Sequence, residues 1–424
     1  MQIKALKGVN DILPVEIEIW NYLENYAAKL FSLYGYHEIR IPIIEESSLF
    51  IRSIGSETDI VSKEMYTFTD KGQRKIALRP EATASIVRAY LEHNLGQQGL
   101  CKLFYRGPMF RGEKPQLGRN RQFYQFGIEA LGTDNPYLDA EIISLAYLFL
   151  KQNNFKNFTI SINSVGCTQD KIVFSKILSL YLADKKDALC QHCQSRLEHS
   201  ILRVFDCKNK NCRKIINSAP KIIDHLCEQC KAHFLTVKNA LSLIDVNYNV
   251  DPFLVRGLDY YTQTVFEICH SGLGAQSTIC AGGRYNNLIS DLGGQPAGAI
   301  GFAFGMERLI IAAAKENILF PIVGQTTVFA IGLGQKSFDE IFKIAASLRE
   351  KQMFVCIGYE QKSLKAQMRK ANKLQCSYVL ILGEDELAAN SIIIKDMTTG
   401  TQQLVKLERI AVELKAKMDA SPHL

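Results

Sequence analysis

The sequence predicts an α+β protein in which an antiparallel sheet flanked by helices is followed by a separate, smaller α/β domain. Three observations carry that prediction. Two β-rich runs, CKLFYRGPMFR and RQFYQFGIEALG, are separated by a polar, basic loop, as in antiparallel pairing. The last hundred or so residues alternate strand-like and helix-like patterns as βαβαβ. The 424 residues are also two to three times a single-core domain, so two or three cores are expected. Hydrophobic residues at 47% and charged residues at 22% exclude collagenous, low-complexity and coiled-coil architectures. No run is apolar enough to span a bilayer, and the N-terminus has neither an apolar core nor a small-residue cleavage site, so a cytoplasmic protein without a membrane partner is expected. The net charge of +7 permits a polyanionic partner without demanding one.

Along the chain, residues 16–34 place Ile19, Trp20, Leu23, Tyr26, Ala27, Leu30, Phe31 and Tyr34 on one helical stripe, with Gly35 as C-cap. HEIRIPII reads as a strand, and LRPEATASIVRAYLEHN as a turn into a helix. The two long β-rich runs follow, then a helix over 135–153 with Asn135 as N-cap and Pro136 at its first position. From 165 to 234, lysine, arginine and paired cysteines replace the apolar periodicity, and the segment reads as inserted. Strands resume at YYTQTVFEICH and STICAGG, and AGAIGFAF runs directly into the helix MERLIIAAAKEN. Residues 321–325 read as a linker. TTVFAIGLG, a helix ending at Lys351, MFVCIGY, a basic helix, SYVLILG and SIIIKDM then make the small α/β domain.

Neither a P-loop nor a Gly-rich dinucleotide fingerprint is present, so a bound nucleotide would be held by side chains. Residues 102–121 supply them, with Lys102, Arg106, Arg111, Lys114, Arg119 and Arg121 set against Glu113 alone. Arg111 and Arg121 flank a loop containing Pro115 and Gly118, from which guanidinium forks could converge on a triphosphate. Taken alone, the same segment also fits a surface hairpin with scattered salt bridges.

In chain order, GYHEIRIPIIE, LRPEATA, FRGEKPQLGRNRQF and GAIGFAFGMERL resemble the three signature motifs of the class II aminoacyl-tRNA synthetases. RGLDYYTQTVFE and AGGRYNNLI resemble the two motifs peculiar to the histidyl-tRNA synthetases, and the resemblance extends into GEDELAANSIIIKDM. It implies a class II catalytic domain over 1–322, interrupted by a Cys-rich insertion at about 166–235, and an anticodon-binding domain over 325–424. It also implies ATP bound with Mg²⁺, L-histidine and histidine tRNA as substrates, and a homodimer built partly around the segment holding Pro42. Carried over by position, Arg111 would hold the α-phosphate, Arg308 the γ-phosphate and Arg119 the outer phosphates. Glu113 would sit near the adenine amino group, and Phe123 would stack on the ring. Arg256 would place a further positive charge at the α-phosphate as the histidine carboxylate attacks; pairing with Asp259 or Glu267 on a sheet surface is its plain structural alternative. Glu81, Thr83 and Gln125 would take the α-ammonium group, and Glu129 and Tyr261 the imidazole. Tyr260 belongs to the same pocket, and Tyr285 would close it. Gln116 matches the loop that reaches the tRNA acceptor end, whereas Gly112, Lys114 and Asn120 depart from the larger or more basic residues common there. The resemblance admits a second activity, that of the non-charging paralogue regulating ATP phosphoribosyltransferase, although such paralogues generally lack the terminal domain and have degraded histidine motifs.

Six cysteines fall into pairs: Cys190 and Cys193, Cys207 and Cys212, Cys227 and Cys230. Two pairs on tight turns would supply four thiolates to a structural Zn²⁺, and the spacing leaves open which four. Histidines 192, 199, 225 and 233 are alternative ligands, and free thiols are the alternative to any metal. In the terminal domain, residues 361–375 carry Lys362, Lys365, Arg369, Lys370 and Lys373 with no acidic residue. Leu364, Met368, Ala371 and Leu374 are expected as the buried stripe of that helix. The one-sided charge suits tRNA phosphates through Lys362, Lys365, Arg369 and Lys373, or else a solvated face.

Overall fold

The computed structural model describes residues 3–321, 327–360 and 362–420. The chain divides into two compact units, Met1–Phe320 and Pro321–Leu424. Residues 322–325 of the expected linker, and with them the domain limits at 322 and 325, lie outside the described residues.

The first unit is built on an eight-stranded sheet in the order His37–Glu38, Cys101–Phe110, Gln122–Leu131, Ala299–Gly305, Thr278–Arg284, Thr262–His270, Phe158–Ser164, Asn249–Val250. Its interior pairings are antiparallel and the two short edge strands join in parallel. The two long runs pair over their full length, from Cys101 opposite Leu131 to Phe110 opposite Gln122. HEIRIPII forms only two fragments, His37–Glu38 and Ile44–Glu46. Between them the Arg79 guanidinium holds the Ile41 carbonyl at 2.7 Å, so that backbone answers a side chain rather than a strand partner. Helix Pro14–Leu33 starts on proline, and helix Pro136–Gln152 is capped by the Asn135 side chain, which accepts from the Tyr137 N–H at 3.0 Å.

Helices Pro14–Leu33, Pro136–Gln152 and Glu228–Leu243 bury their apolar sides against one face of the sheet. Successive residues of a strand point to opposite faces, so the strands themselves divide the unit. Phe126, Ile128 and Ala130 join the helical core, whereas Phe123, Gln125 and Glu129 face the other way. Ile300 and Phe304 repeat the pattern against Gly301, Ala303 and Gly305.

The inserted segment has a core of its own. Phe174, Leu178, Leu182, Val204, Phe205 and Ile216 are buried there together with Cys193, Cys207 and Cys212. Its apolar residues sit on short helices and turns, and only Thr168–Ala183 and Glu228–Leu243 are long enough to show a helical period. That is why the sequence shows little periodicity across it.

The terminal unit is a five-stranded sheet in the order Phe354–Ile357, Thr327–Gly332, Tyr378–Leu382, Ser391–Asp396, Gln402–Lys406. The expected βαβαβ makes its parallel half. Ser391–Asp396 and Gln402–Lys406 complete it as an antiparallel pair.

One buried ion pair joins these layers in the first unit. Arg284, fully buried at the end of its strand, donates from Nε to Asp139 Oδ1 at 2.7 Å and from its terminal nitrogens to the Thr133 and Asn135 carbonyls at 3.0 and 2.8 Å. The other oxygen of Asp139 meets His233 Nε2 at 2.9 Å, which ties helix Glu228–Leu243 to the same point. Removing one partner leaves a charge buried and uncompensated, so Arg284→Met should lower the unfolding free energy of this unit by about 3–5 kcal/mol in urea titration. A loss below about 1 kcal/mol would show that the pair is dispensable.

Candidate active site

The face of the large sheet opposite the helices floors a cavity of about 430 Å³. Glu81, Thr83, Arg111, Glu113, Arg119, Phe123, Gln125, Glu129, Arg256, Tyr260, Tyr261, Tyr285 and Arg308 all line it, so residues spread over more than two hundred positions of sequence meet in one place. Gln116 is exposed on the hairpin loop outside the cavity, where its backbone pairs with that of Arg119. Arg121 is not among the lining residues. Its Nε reaches the Glu113 carbonyl at 3.3 Å, and its backbone N–H binds the Gly8 carbonyl. The converging arginines are therefore Arg111, Arg119 and Arg308, because the tight turn between Gln116 and Arg119 sends Arg119 inward.

At the charged end, Arg111 donates from Nε to the Pro80 carbonyl at 3.0 Å, and its guanidinium lies 5.2 Å from the Phe123 ring centroid. Arg119 is ion-paired with Glu113. Arg308 is held by the carbonyls of Gly118 and Thr278 at 3.1 and 2.8 Å. Arg256 donates from Nη1 to Glu267 Oε2 at 3.0 Å, the partner expected of a structural arginine, but it does so inside the cavity. Its Nε is a buried donor with no hydrogen-bond partner. Burial works against the Arg256 charge, and Glu267, with Tyr261 and Asp206 beyond, more than offsets that and raises its pKa.

At the other end, Glu81 accepts from the backbone N–H groups of Thr83 and Ala84 at 2.6 and 3.0 Å, at the start of helix Thr83–Glu92. Glu129 lies on strand Gln122–Leu131, opposite Gly301. A Cβ on Gly301 would collide with the Glu129 carboxylate, so glycine is what lets that carboxylate lie across the sheet. Glu129 accepts from the Thr83 hydroxyl at 2.7 Å and from the Tyr285 hydroxyl. Burial pushes Glu129 up to about 8 against these two bonds, and burial likewise pushes Tyr261 up to about 12. The result is a buried carboxyl of raised pKa, set among tyrosines beside a cluster of arginines.

Several lining residues lie outside the sequence assignment. Glu267 and Thr278 face the arginines, and Glu307, pushed up to about 7 by burial, anchors the Tyr124 N–H at 3.1 Å. Asp206 and Lys208 enter from the insert, next to Cys207, and no motif marked them.

Away from the cavity, the sulfurs of Cys190, Cys193, Cys207 and Cys212 lie within 4.8 Å of one another. Tetrahedral Zn–S bonds of about 2.3 Å place sulfurs about 3.8 Å apart. Cys190 and Cys207 stand at 3.8 Å. The N–H of Cys193 brings the Cys190 thiol down to about 7. Cys227 and Cys230 are not part of this cluster. His233 is engaged by Asp139, and His225 lies against Phe174 with ring centroids 5.7 Å apart. The His199 side chain lies outside the described residues.

In the terminal unit, helix Leu364–Lys373 buries Gln367 and Ala371, with Met368 partly covered. Leu364 and Leu374 are 37% and 50% exposed, so the inward stripe is shorter than expected. Glu360, one residue before the basic run, pairs with Lys362 at 2.8 Å and Lys370 at 3.9 Å. Lys365 and Arg369 line a separate shallow groove with Lys395.

Comparison with known proteins places this geometry. The family model "Histidyl-tRNA synthetase" matches residues 8–309, and "Anticodon binding domain" matches residues 325–417. The chain is 48% identical to the histidine--tRNA ligase of Thermosipho melanesiensis over 96% of each chain. It is 46% identical to that of Halothermothrix orenii over 98% of this chain and 99% of the relative. Apo histidyl-tRNA synthetase of S. aureus superposes with a TM-score of 0.83 at 36% identity, covering 98% of this chain and all of the other. With its cavity arginines, its buried carboxyl and phenols, and a match that runs almost end to end, this chain belongs to the histidyl-tRNA synthetase family of class II aminoacyl-tRNA synthetases.

Proposed function

We propose that this chain is a histidine--tRNA ligase: it activates L-histidine with ATP to histidyl-adenylate, releasing pyrophosphate, and transfers the histidyl group to histidine tRNA, releasing AMP. The observation that carries the reading is Arg256, a partly buried cation whose buried Nε donor is unpartnered inside a cavity shared with three further arginines, the Glu129 carboxyl and the tyrosines Tyr260, Tyr261 and Tyr285. The regulatory-paralogue reading is less well supported, since the match to ligases spans both units.

Histidine enters with its ammonium toward Glu81, Thr83 and Gln125 and its imidazole toward Glu129 and Tyr261, while Tyr260 and Tyr285 wall the recess. Two ring nitrogens facing a carboxyl and a phenol are fixed in direction. Arg111 and Arg256 take the α-phosphate oxygens as the histidine carboxylate attacks phosphorus, and Arg119 and Arg308 take the outer phosphates. Preorganised cations are worth most where charge develops in the transition state. Phe123 and Glu113 receive the adenine. Glu267 is a hard oxygen donor on the arginine side, which suits Mg²⁺. When bound there with the phosphates, Mg²⁺ would offset the charge on the departing pyrophosphate. Cys190, Cys193, Cys207 and Cys212 fit a structural Zn²⁺ that holds the insert together. The exposed Ile43 and Ile44, beside Pro42, support a homodimer formed through that segment. Among the described residues no helix is long and apolar enough to cross a membrane, which accords with tRNA charging in the cytoplasm.

Arg256→Ala should slow adenylate formation by about two orders of magnitude or more in single-turnover assays, with histidine affinity little changed. Adenylate formation at near wild-type speed would remove Arg256 from the reaction.

Glu129 keeps a proton in the folded chain between its ordinary pKa and about 8, where the unfolded chain has lost it, so it subtracts stability as pH rises through that window. Glu129→Gln lacks this loss, and its melting temperature should rise relative to wild type between pH 5 and pH 8. The same variant should raise the histidine KM and relax selection for histidine while leaving the ATP KM unchanged. A constant melting difference across that pH range, or an unchanged histidine KM, contradicts the assignment.

Lys365, Arg369 and Lys373 carry the terminal unit's share of tRNA binding, with Lys362 and Gln116 as further contacts. Replacing the three by Ala should raise the tRNA KM and flatten its salt dependence, with pyrophosphate exchange unaffected. An unchanged salt slope would make this helix a solvated surface.

A further inference from the structure

Cys227 and Cys230 have a destination of their own. Their sulfurs meet Cys167 Sγ and a carboxylate oxygen of Asp170, and these four atoms lie within 4.8 Å of one another. The arrangement is regular. Cys167 is the N-cap of helix Thr168–Ala183 and Asp170 its third residue, while Cys227 is the N-cap of helix Glu228–Leu243 and Cys230 its third. N-cap and third-position side chains lie on the same side of a first helical turn, so each helix start presents a pair of ligand groups to the other.

Asp170 is already oriented for such a role. It accepts from the Cys167 N–H at 3.2 Å through Oδ2 and from the Cys227 N–H at 2.9 Å through Oδ1, which fixes the carboxylate across both helix starts. Metal-bound carboxylates are commonly held by such outer hydrogen bonds. Gly166, at φ +68, brings the chain close beneath it, and a Cβ there would stand 2.5 Å from Asp170 Cβ and 2.9 Å from Leu226 Cδ2. Asp170 and Cys230 are buried, whereas Cys227 is exposed at the rim.

We propose that Cys167, Asp170, Cys227 and Cys230 form a second zinc site, separate from the four-cysteine cluster, that clasps the first helix of the insert to its last. Three soft thiolates and one carboxylate in a compact set suit tetrahedral Zn²⁺ over the hard cations. The clasp lies one residue from Lys171, whose amine is held by the Tyr261 carbonyl and reaches the Asp259 carbonyl at 3.5 Å. It thereby steadies the backbone that carries Tyr261 into the cavity.

The test uses the full-length chain purified without chelator. Zinc analysis should give about two equivalents per chain, falling to about one in Cys207→Ser/Cys212→Ser and, separately, to about one in Asp170→Ala/Cys230→Ser. If the second double variant retains all the zinc of wild type, the second site does not exist. Residue-resolved alkylation of the wild-type chain decides the matter even if a variant fails to fold. Iodoacetamide should label Cys227 at least tenfold more slowly with zinc bound than after chelation and repurification. Equal labelling in the two states, or a Cys227–Cys230 disulfide in the purified protein, overturns the proposal.

Discussion

The buried Arg284–Asp139 pair is the constraint on which the rest of the catalytic unit depends. Taking two charges out of water is costly, and the cost is offset only where geometry and extra hydrogen bonds are good. Here the guanidinium is also met by two loop carbonyls and by Asn286 Oδ1 at 3.3 Å, and the carboxylate by a histidine. The pair fixes strand end, helix start and insert helix at one point. Because Arg284 turns down into the helical layer, Tyr285 beside it reaches Glu129, and Asn286 caps the Ala299 N–H at 3.0 Å. One anchored residue thus orients the wall of the recess and the neighbouring strand.

The same alternation explains how a sheet can be both core and binding surface. Apolar residues on one face of Gln122–Leu131 and Ala299–Gly305 are buried under helices, which leaves the opposite positions free to carry Phe123, Gln125 and Glu129 over a floor of glycines. Burial is what raises Glu129 to about 8, with the nearby Glu81 adding to it. Arg111 and Arg308 are supported differently, by the backbone carbonyls of Pro80, Gly118 and Thr278, whereas Arg119 and Arg256 are paired with Glu113 and Glu267.

Much of this was legible in the sequence. The two long strands, the Asn135 cap and the parallel half of the terminal sheet follow from local patterns, and the cavity residues follow from motifs whose order the fold preserves. What stayed hidden depends on distance along the chain. Cys167 stands sixty residues from Cys227, so no spacing rule pairs them, and Asp170 reads as an ordinary helix-start acid. Arg121 and Arg119 are equally basic in sequence, and only the turn between Gln116 and Arg119 decides which one faces inward. Leu364 and Leu374 obey the helical period, but the helix packs through its middle, so the period overstates how far its buried stripe extends. Asp206 and Lys208 reach the cavity from a segment whose composition suggested only thiol chemistry.

That last feature bears on modularity. An insertion is usually regarded as an appendage that can be lengthened, exchanged or deleted while the host domain continues to work. Here the insert lends two charged side chains to the cavity wall and holds the Tyr261 backbone through Lys171. Its evolutionary freedom is accordingly confined to the surface remote from the sheet. An insert from another protein could be grafted successfully only if the transplanted piece kept the contacts at both its junctions and the short stretch that follows Phe205.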